Sequence, residues 1–532
     1  MPLDHREIQG VLSLMPSTFE ALHTLLVVLY LGVLTILAVY GMYRYVQIII
    51  YYKHLRNVPV VSAKFSELPH VTVQLPMYNE MYVAQRVIEG ACQIDWPRDK
   101  LQIQVLDDST DDSAEIARAC VDRLRRLGHN IHYLHRSNRE GYKAGALAQG
   151  LRDATGEFIL LFDADFIPTR DILRRCMDHF TDPNVGCVQT RWDHINRNQS
   201  LLTRCQAIFL DGHFMIEHVS RNRSGRFINF NGTAGIWRRK AIDDAGGWQH
   251  DTLTEDMDLS YRAQLRGWQF IFLPEVLAPA ELPPEIVSFK HQQHRWTKGQ
   301  VQTAVKLLPS ILKAPIPWWV KVESLFHLTC TAVYIPAIIL SLILFPVWDM
   351  DPDLFKSPGK LIALAVASFF GLLTCSAGSF YMLSQKAVGR STFSTMMMVP
   401  LLMALGTGVS VINAMAVLEG LFGKRDTEFV RTPKYGNAAG SSAWKKRAPS
   451  FKKMKLGLLP VIEIIFGLYM AVCAALAIRF DSAPGTVPFL IIFSFGYLYT
   501  GILTLHNRWV SSRALRAEVI PEAKADAQVL AA

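Results

Sequence analysis

The chain has 532 residues, half of them hydrophobic, a mean hydropathy of +0.17 and a formal net charge of +9. This length and apolarity exclude a single ordinary soluble domain and favour a soluble part joined to membrane spans. Lys and Arg cluster beside apolar stretches, which is typical of a cytoplasmic membrane face, so the charge does not indicate nucleic-acid binding. The eight Cys show no CxxC or other ligand-like spacing, which argues against a zinc site or a disulfide framework.

The first strongly apolar stretch runs from Ala21 to about Tyr45 and is long enough to cross a bilayer as a helix. It lacks a basic n-region and a small-residue cleavage site. We therefore expect residues 1–52 to hold a retained transmembrane helix and not a signal peptide.

Residues 53–317 have the composition of a soluble α/β domain. Apolar, β-branched runs, mostly separated by helix-like segments, predict four strands at Val71–Leu75, Leu101–Leu106, Ile131–Leu134 and Phe158–Phe162. This alternation predicts a parallel sheet that binds ligands beyond the carboxyl ends of its strands.

Apolar segments return after Pro317. They predict two spans within residues 318–390, two more within 456–506 and a short cytoplasmic tail at 507–532. The four spans are expected at Leu325–Trp348, Leu361–Leu383, Leu456–Ile478 and Val487–Leu505.

Residues 391–455 are harder to place. Their first part, Ser391–Leu421, is apolar but interrupted by Pro and Gly, and residues 424–455 carry ten Lys and Arg against two acidic residues. The basic stretch belongs on the cytoplasmic side, as does the α/β domain. Ser391–Leu421 must then cross the membrane an even number of times, so we interpret it as interfacial or re-entrant.

Acidic residues follow two of the predicted strands. Asp107 and Asp108 come at the end of the second strand, where carboxylates could hold a nucleotide or a metal, although an acidic turn or helix cap is the alternative. Asp163 and Asp165 follow the fourth strand. Two carboxylates one residue apart can supply hard oxygen ligands to Mg²⁺ or Mn²⁺ bridging a sugar-nucleotide diphosphate.

Small and cationic residues lie between and after these strands. Lys143 begins a glycine-rich helix start and can neutralise phosphate, unless it is simply solvated. Asn231, Gly232 and Thr233 form a small polar segment suited to an acceptor-sugar floor, or only to a turn.

Thr254-Glu255-Asp256 precedes a helical pattern. Asp256 is the candidate general base for an acceptor hydroxyl, and Glu255 could tune its pKa. A helix-capping Asp is the alternative.

The motif Gln292-Gln293-His294-Arg295-Trp296 combines amides, a guanidinium and a large ring. Arg295 suits a diphosphate and Trp296 a sugar face, whereas an interfacial amphipathic helix is the other explanation. Thr432 and Lys434 lie in the basic segment and could reach a diphosphate if that segment closes over the site.

As a set, these motifs resemble the processive membrane-bound β-glycosyltransferases of glycosyltransferase family 2, the cellulose synthase superfamily. Two sequence motifs are most similar to the cellulose-synthase-like A and C branches, which make mannan and glucan, and to their bacterial relatives. They are Leu75-Pro-Met-Tyr-Asn-Glu80 and Gln104-Val-Leu-Asp-Asp-Ser-Thr-Asp111. The resemblance implies a nucleotide-sugar-binding α/β domain of GT-A type inserted in a transmembrane helical bundle.

The resemblance also implies roles for individual residues. By this resemblance Asp108 contacts the nucleotide, and Asp163 and Asp165 contact the nucleotide and the metal. Asp256 is the base, and the donor and acceptor site is formed by Gln292, Arg295 and Trp296. Thr432 and Lys434 match the end of a gating loop. Arg431 stands where the cellulose synthases' loop has Val, and we expect no control by a regulatory module fused after the last span.

We therefore expect an inverting, metal-dependent, processive enzyme that polymerises a hexose into a β-linked glucan or mannan and translocates it. UDP-glucose is the favoured donor and GDP-mannose the next. The expected partners are this donor, the growing polysaccharide, the lipid bilayer and an oligomer or accessory secretion subunit. The expected location is a plasma, inner or Golgi membrane, with the catalytic domain in the cytoplasm.

One alternative is a non-processive enzyme that glycosylates ceramide or a polyprenyl phosphate. The other is a transporter or inactive scaffold, which the scarcity of central charges in the spans disfavours.

Overall fold

A computed structural model describes residues 5–350, 376–423, 432, 434, 436, 457–480 and 484–529 of the chain. Its side chains are described for residues 21–347, 376–423, 432, 434, 436, 457–480 and 485–510.

One seven-stranded sheet organises the α/β part. Its strands are β1 (Val71–Met77), β2 (Leu101–Asp107), β3 (Ile131–His135), β4 (Phe158–Leu161), β5 (Val185–His194), β6 (Gly235–Arg238) and β7 (Gln269–Ala280). They lie in the order β3-β2-β1-β4-β6-β5-β7. All four strands predicted from the sequence are present.

The sheet is mixed, which corrects the prediction of a parallel one. Strands β1 to β4 pair in parallel, and β5 pairs in parallel with β7. Only β6 runs the other way, against both β4 and β5. This four-residue strand follows the small polar segment Asn231–Ala234 and has too few residues to display a strand pattern in the sequence.

Nine helices accompany the sheet in the described chain before residue 286, apart from 3₁₀ turns. They are α1 (His5–His54), α2 (Ala84–Cys92), α3 (Ser113–Arg126), α4 (Tyr142–Arg152), α5 (Ile172–Cys176), α6 (Leu201–Gly212), α7 (Val219–Arg223), α8 (Arg239–Asp244) and α9 (Glu255–Leu265). A π-helix, His213–His218, joins α6 to α7. Successive residues of β4 show how the sheet is buried: Leu160 packs in one apolar cluster and Ile159 and Leu161 in another, because alternate side chains of a strand point to opposite faces.

The remaining helices with both ends described are α10 (Ile286–Lys313), α11 (Trp318–Thr329), α12 (Tyr334–Met350), α13 (Thr392–Gly408), α14 (Ser410–Phe422), α15 (Leu459–Phe480) and α16 (Val487–Val529). Residues 376–387 are helical as well. Within the described residues, four stretches are long and apolar enough to cross a membrane: Ala21–His54, Trp318–Val347, Leu459–Phe480 and Val487–Val510. They coincide with four of the predicted spans. The predicted span Leu361–Leu383 lies mostly outside the described residues.

Helices α13 and α14 cover the segment that the parity argument makes interfacial or re-entrant. They meet at a 45° bend around Val409, so the pair forms either a broken span or a re-entrant loop. The interpretation from the sequence therefore stays a prediction.

Helix α10 connects the sheet domain to the membrane helices. Its residues Ile286, Val287 and Phe289 belong to the same apolar cluster as residues of α12, α13, α15 and α16. Lys290, with a fully buried side chain, donates to Glu463 Oε2 of α15 at 2.5 Å and to Thr504 Oγ1 of α16 at 2.8 Å. The sheet domain and the later helices thus share an apolar cluster and a buried ion pair through α10.

Candidate active site

A pocket opens where β1, β2 and β4 end, and α10 with residues 432 and 434 lines its other sides. Every site residue predicted from the sequence lines this pocket except Asp107 and Thr233. The lining set is Asp108, Lys143, Asp163, Asp165, Asn231, Gly232, Glu255, Asp256, Gln292, Arg295, Trp296, Thr432 and Lys434.

Asp163 and Asp165 follow β4, and each faces an ammonium group. The backbone N–H of Asp163 donates to Thr233 Oγ1 at 2.8 Å, which fixes the start of the loop. Lys143 Nζ lies 2.5 Å from Asp163 Oδ1, and Lys434 Nζ pairs with Asp165. The two carboxylates are therefore held in the pocket by cations that approach from different elements.

Lys143 is the second residue of α4 and lies at the centre of these charges. Besides Asp163, its ammonium donates to Gly232 O at 2.9 Å and lies 4.0 Å from Glu255 Oε1. Burial alone would lower the pKa of Lys143, but Asp163 and Glu255 outweigh it and raise the pKa overall. Lys143 is therefore a permanent cation facing the pocket.

Asp256 is the second residue of α9. Its Oδ1 accepts at 2.8 Å from the N–H of Met257, one of the first-turn donors that have no partner within the helix. Gly232 has a φ of +81°, and a Cβ at that position would lie 2.8 Å from Asp256 Oδ2. Only glycine allows the backbone this close to the carboxylate. Burial, and next the charge of Glu255, raise the pKa of Asp256 to about 7.

Helix α10 brings Gln292, Arg295 and Trp296 to the opposite wall of the pocket. Burial lowers the pKa of the Arg295 guanidinium, and the nearby carboxylates, led by Glu255, oppose that shift. The helix is held against the loop before α9, because a Cβ at Gly299 would lie 2.6 Å from Thr254 Cγ2. Asp256 and Arg295 are therefore positioned by two elements in direct contact.

Thr432 and Lys434 reach the pocket from the basic segment. Thr432 is buried, and Lys434 contacts Asp165 as described above. Arg431, the departure from the cellulose synthases' loop, lies outside the described residues. Thr432 and Lys434 therefore both lie against the pocket that contains the acidic loop.

Asp107 is not among the residues that line the pocket, and its part in donor binding stays a prediction. Its buried carboxylate accepts from the Ser109 N–H at 2.9 Å and from the Tyr133 hydroxyl at 2.6 Å. Asp107 therefore supports the end of β2. The adjacent Asp108 does line the pocket, with its carboxylate held by the guanidinium of Arg136.

Thr233 does not line the pocket either. Its side chain is fully buried and accepts from the N–H of Asp163, so it orients the acidic loop, and its part in acceptor binding stays a prediction.

Comparison with known proteins identifies the group to which this arrangement belongs. Residues 158–348 match the family model described as glycosyl transferase family group 2. Glucomannan 4-beta-mannosyltransferase 7 of Arabidopsis thaliana is 33% identical over 424 residues, which cover 78% of this chain and 73% of that protein. The chain belongs to glycosyltransferase family 2. It is an enzyme of that family with several helices long and apolar enough to span a membrane.

Two further relatives extend this finding. Glucomannan 4-beta-mannosyltransferase 2 of A. thaliana is 43% identical over 267 residues, 49% of this chain and half of the relative's length. The solved mannosyltransferase PcManGT of Pyrobaculum calidifontis, in complex with GDP-Man and Mn²⁺, superposes with a TM-score of 0.50. It covers 76% of this chain and 99% of its own at 20% identity, which supports the GT-A-like fold.

The carboxylates in the pocket of this glycosyltransferase fit a divalent ion whose remaining ligands are supplied by the substrate. Asp163 and Asp165 offer two carboxylates in the pocket. The described residues contain no group of three or more His, Cys, Asp or Glu side chains that could hold a metal alone. Mg²⁺ and Mn²⁺ are commonly bound by one or two carboxylates together with substrate phosphates, and this pocket matches that pattern.

Several pocket residues were not predicted from the sequence. The Arg139 guanidinium lies 3.3 Å from the centroid of the Tyr78 ring, and Arg139 has a φ of +45°. Glu281 pairs with Arg86 at 2.7 Å on another wall. These residues come from loops distant in the chain and form no local motif, although Tyr78 stands inside the string that carries the resemblance.

Proposed function

We propose that this enzyme transfers mannose from GDP-mannose to the end of a growing β-linked mannan or glucomannan. The observation that carries the proposal is the position of Asp256, a carboxylate of raised pKa facing Lys143 and Arg295 in one pocket. The names of the two plant relatives favour mannose over the glucose expected from the sequence alone.

The donor would lie between the acidic loop and α10. Asp108 would contact the nucleotide, and Lys143, Arg295 and Lys434 would neutralise the diphosphate. Asp163 and Asp165 would hold Mg²⁺ or Mn²⁺, which when bound neutralises charge on the leaving diphosphate. Gln292 and Trp296 would place the sugar, with the indole against its face.

The transfer would proceed in one displacement. Asp256 takes the proton of the acceptor hydroxyl, whose oxygen forms a bond to the anomeric carbon as the bond from that carbon to the diphosphate oxygen breaks. GDP leaves with the electron pair. Because the attack comes from the opposite side, an α-linked donor gives a β-linked product.

Asn231 and Gly232 would form the acceptor floor, and Thr432 and Lys434 would close over the donor. The basic stretch 424–455 supports a cytoplasmic catalytic domain by the positive-inside rule. We further propose that the helices carry the polymer out of the cytoplasm, so that the enzyme is processive.

The test is synthesis by the purified protein in nanodiscs, with Mn²⁺ or Mg²⁺ and either labelled GDP-mannose or labelled UDP-glucose. A long product that β-mannanase digests is expected from GDP-mannose. A long product from UDP-glucose alone would show that UDP-glucose, and not GDP-mannose, is the donor. A product extracted with lipid would support a glycolipid-forming enzyme instead.

Asp256→Asn tests the base. It should lower turnover by about a hundredfold or more, since general-base catalysis contributes at least that much. Asp251→Asn is the matched control, because Asp251 is exposed and pairs with Lys306 at 2.7 Å outside the pocket lining. Turnover by Asp256→Asn equal to that of the control would rule out the assignment.

A further inference from the structure

The π-helix His213–His218 lies directly beneath the acceptor floor. His213 Nε2 is 3.0 Å from Asn231 Nδ2, and His213 Nδ1 is 3.1 Å from Glu217 Oε2. Asn231 lines the pocket, whereas the other two residues do not. A π-helix inside a longer helix often marks a functional position, because its wider turn redirects side chains.

Glu217 determines which nitrogen of His213 carries hydrogen. The guanidinium of Arg221 lies 3.5 Å from Glu217 Oε2. Burial acts to raise the pKa of Glu217, but Arg221 and His213 lower it to about 2. Glu217 is therefore a carboxylate that can only accept, so His213 Nδ1 must donate to it. His213 Nε2 then accepts from Asn231 Nδ2, because an amide nitrogen can only donate.

The backbone of Asn231 is fixed on both sides. Its N–H donates to Gln189 Oε1 at 3.0 Å, and the carbonyl of the next residue, Gly232, accepts from Lys143. Gly232 in turn touches Asp256. The backbone of Asn231 is therefore fixed, and only the orientation of its side-chain amide depends on the neighbouring side chains.

A second histidine adjoins the same amide. Among the described residues, the side chain of Asn231 also lies beside the buried ring of His218. His218 Nε2 already donates to Asn229 O at 3.0 Å, so its Nδ1 can only accept. The Asn231 amide therefore lies between two ring nitrogens that can only accept, Nε2 of His213 and Nδ1 of His218.

We propose that His213, held by Glu217, is a positioning residue that sets the orientation of the Asn231 amide and thereby the placement of the acceptor sugar. This inference rests on the proposed function, because it requires a sugar acceptor at Asn231. The diphosphate of the donor is bound by other residues. Changes at His213 should consequently affect use of the acceptor more than binding of the donor.

The test compares two substitutions that each retain one of the two contacts. The amide of His213→Gln reaches the place of Nε2 and can still meet Asn231, whereas the shorter His213→Asn replaces Nδ1 and meets Glu217 only. Each variant is assayed in nanodiscs with GDP-mannose and short β-mannan oligosaccharides. His132→Asn, at an exposed site on edge strand β3, is the control.

His213→Asn should raise the KM for the oligosaccharide about tenfold, the effect of losing one net hydrogen bond, and leave the KM for GDP-mannose within about twofold. His213→Gln should recover most of the acceptor KM. Equal effects of the two variants, or equal shifts in both KM values, would refute the positioning role. A parent enzyme that elongates no oligosaccharide would instead refute the proposed function, and this inference with it.

Discussion

Two buried lysines, Lys143 in the pocket and Lys290 under the membrane bundle, use the same chemistry for different ends. Each ammonium lies 2.5 Å from a carboxylate, of Asp163 and Glu463 respectively. The Lys143 side chain keeps 16% of its surface exposed, and that of its partner keeps 35%, whereas both side chains of the Lys290 pair have none. The pocket pair can exchange partners with a ligand. The membrane pair can only hold two elements together.

The contacts around each ammonium explain this difference. Lys290 donates to Glu463, to Thr504 Oγ1 and to Thr500 O, the last at 3.3 Å, so all three of its hydrogens have acceptors. Lys143 lies among the carboxylates that line the substrate pocket. Lys290, whose three hydrogens all have acceptors within the protein, holds α10 against α15 and α16. Lys143 faces the pocket and is available to a phosphate.

The largest expected effect is on the membrane pair. Lys290→Met or Glu463→Leu alone should reduce the free energy of unfolding by about 3–5 kcal/mol, because each leaves one buried charge unpaired. The double variant should be close to the parent, since two apolar side chains need no partner. Thermal unfolding in detergent, arranged as a double-mutant cycle, measures this, and single variants as stable as the parent would remove the distinction between the two lysines.

Lys143→Met should act on substrate use and not on folding. Loss of a charge-assisted contact to the diphosphate is worth about 1.5–3 kcal/mol, so kcat/KM for the donor should fall roughly tenfold to a hundredfold. Lys240→Met, at an exposed position, provides the control. If Lys143→Met instead lost stability as Lys290→Met does and kept its kcat/KM, the pocket lysine would be structural.

Gly232→Ala tests how close the acceptor floor comes to the base. A non-glycine residue at positive φ costs about 1–2 kcal/mol, and here the new Cβ would also lie 2.8 Å from Asp256 Oδ2. Gly225→Ala separates the two effects, because Gly225 has a φ of +71° and open space around it. Both variants should lose similar stability, but only Gly232→Ala should lose turnover, by about tenfold or more.

The smallest expected effect is a shift in pH dependence. Asp256 must be ionised to accept a proton, and its pKa of about 7 predicts that kcat/KM falls as the pH drops below about 7. The charge of Lys143 lowers the pKa of Asp256, so Lys143→Met should move this acidic limb to higher pH. A limb that stays in place in that variant would show that a group other than Asp256 controls it.

The elements predicted from the sequence are those with a strong local signal. Strands β1 to β4 are short runs of apolar residues, and the acidic motifs at their ends come together because parallel strands end at one edge. The antiparallel β6 pairs with strands that lie about 40 or more residues earlier in the chain, so its direction depends on long-range contacts.

The contacts that individual site residues make also depend on long-range packing, so the sequence did not predict them. Asp107 and Thr233 have residue types and positions suited to binding, yet each is buried and bonded to the protein. His213 carries no motif, because its role depends on a π-helix and on Asn231, 18 residues away. Sequence patterns indicate which residues carry suitable chemistry, while the direction of a side chain depends on tertiary packing.

The shared core at α10 means that the transferase cannot be treated as a detachable module. A fragment ending near Pro317 would keep Ile286, Val287 and Phe289 but lose the bundle that covers them, and would leave Lys290 without its carboxylate. Leu202, Cys205 and Ile208 of α6 belong to the same cluster. Chimeras that exchange membrane halves between relatives should therefore carry α6 and α10 with the half that they pack against.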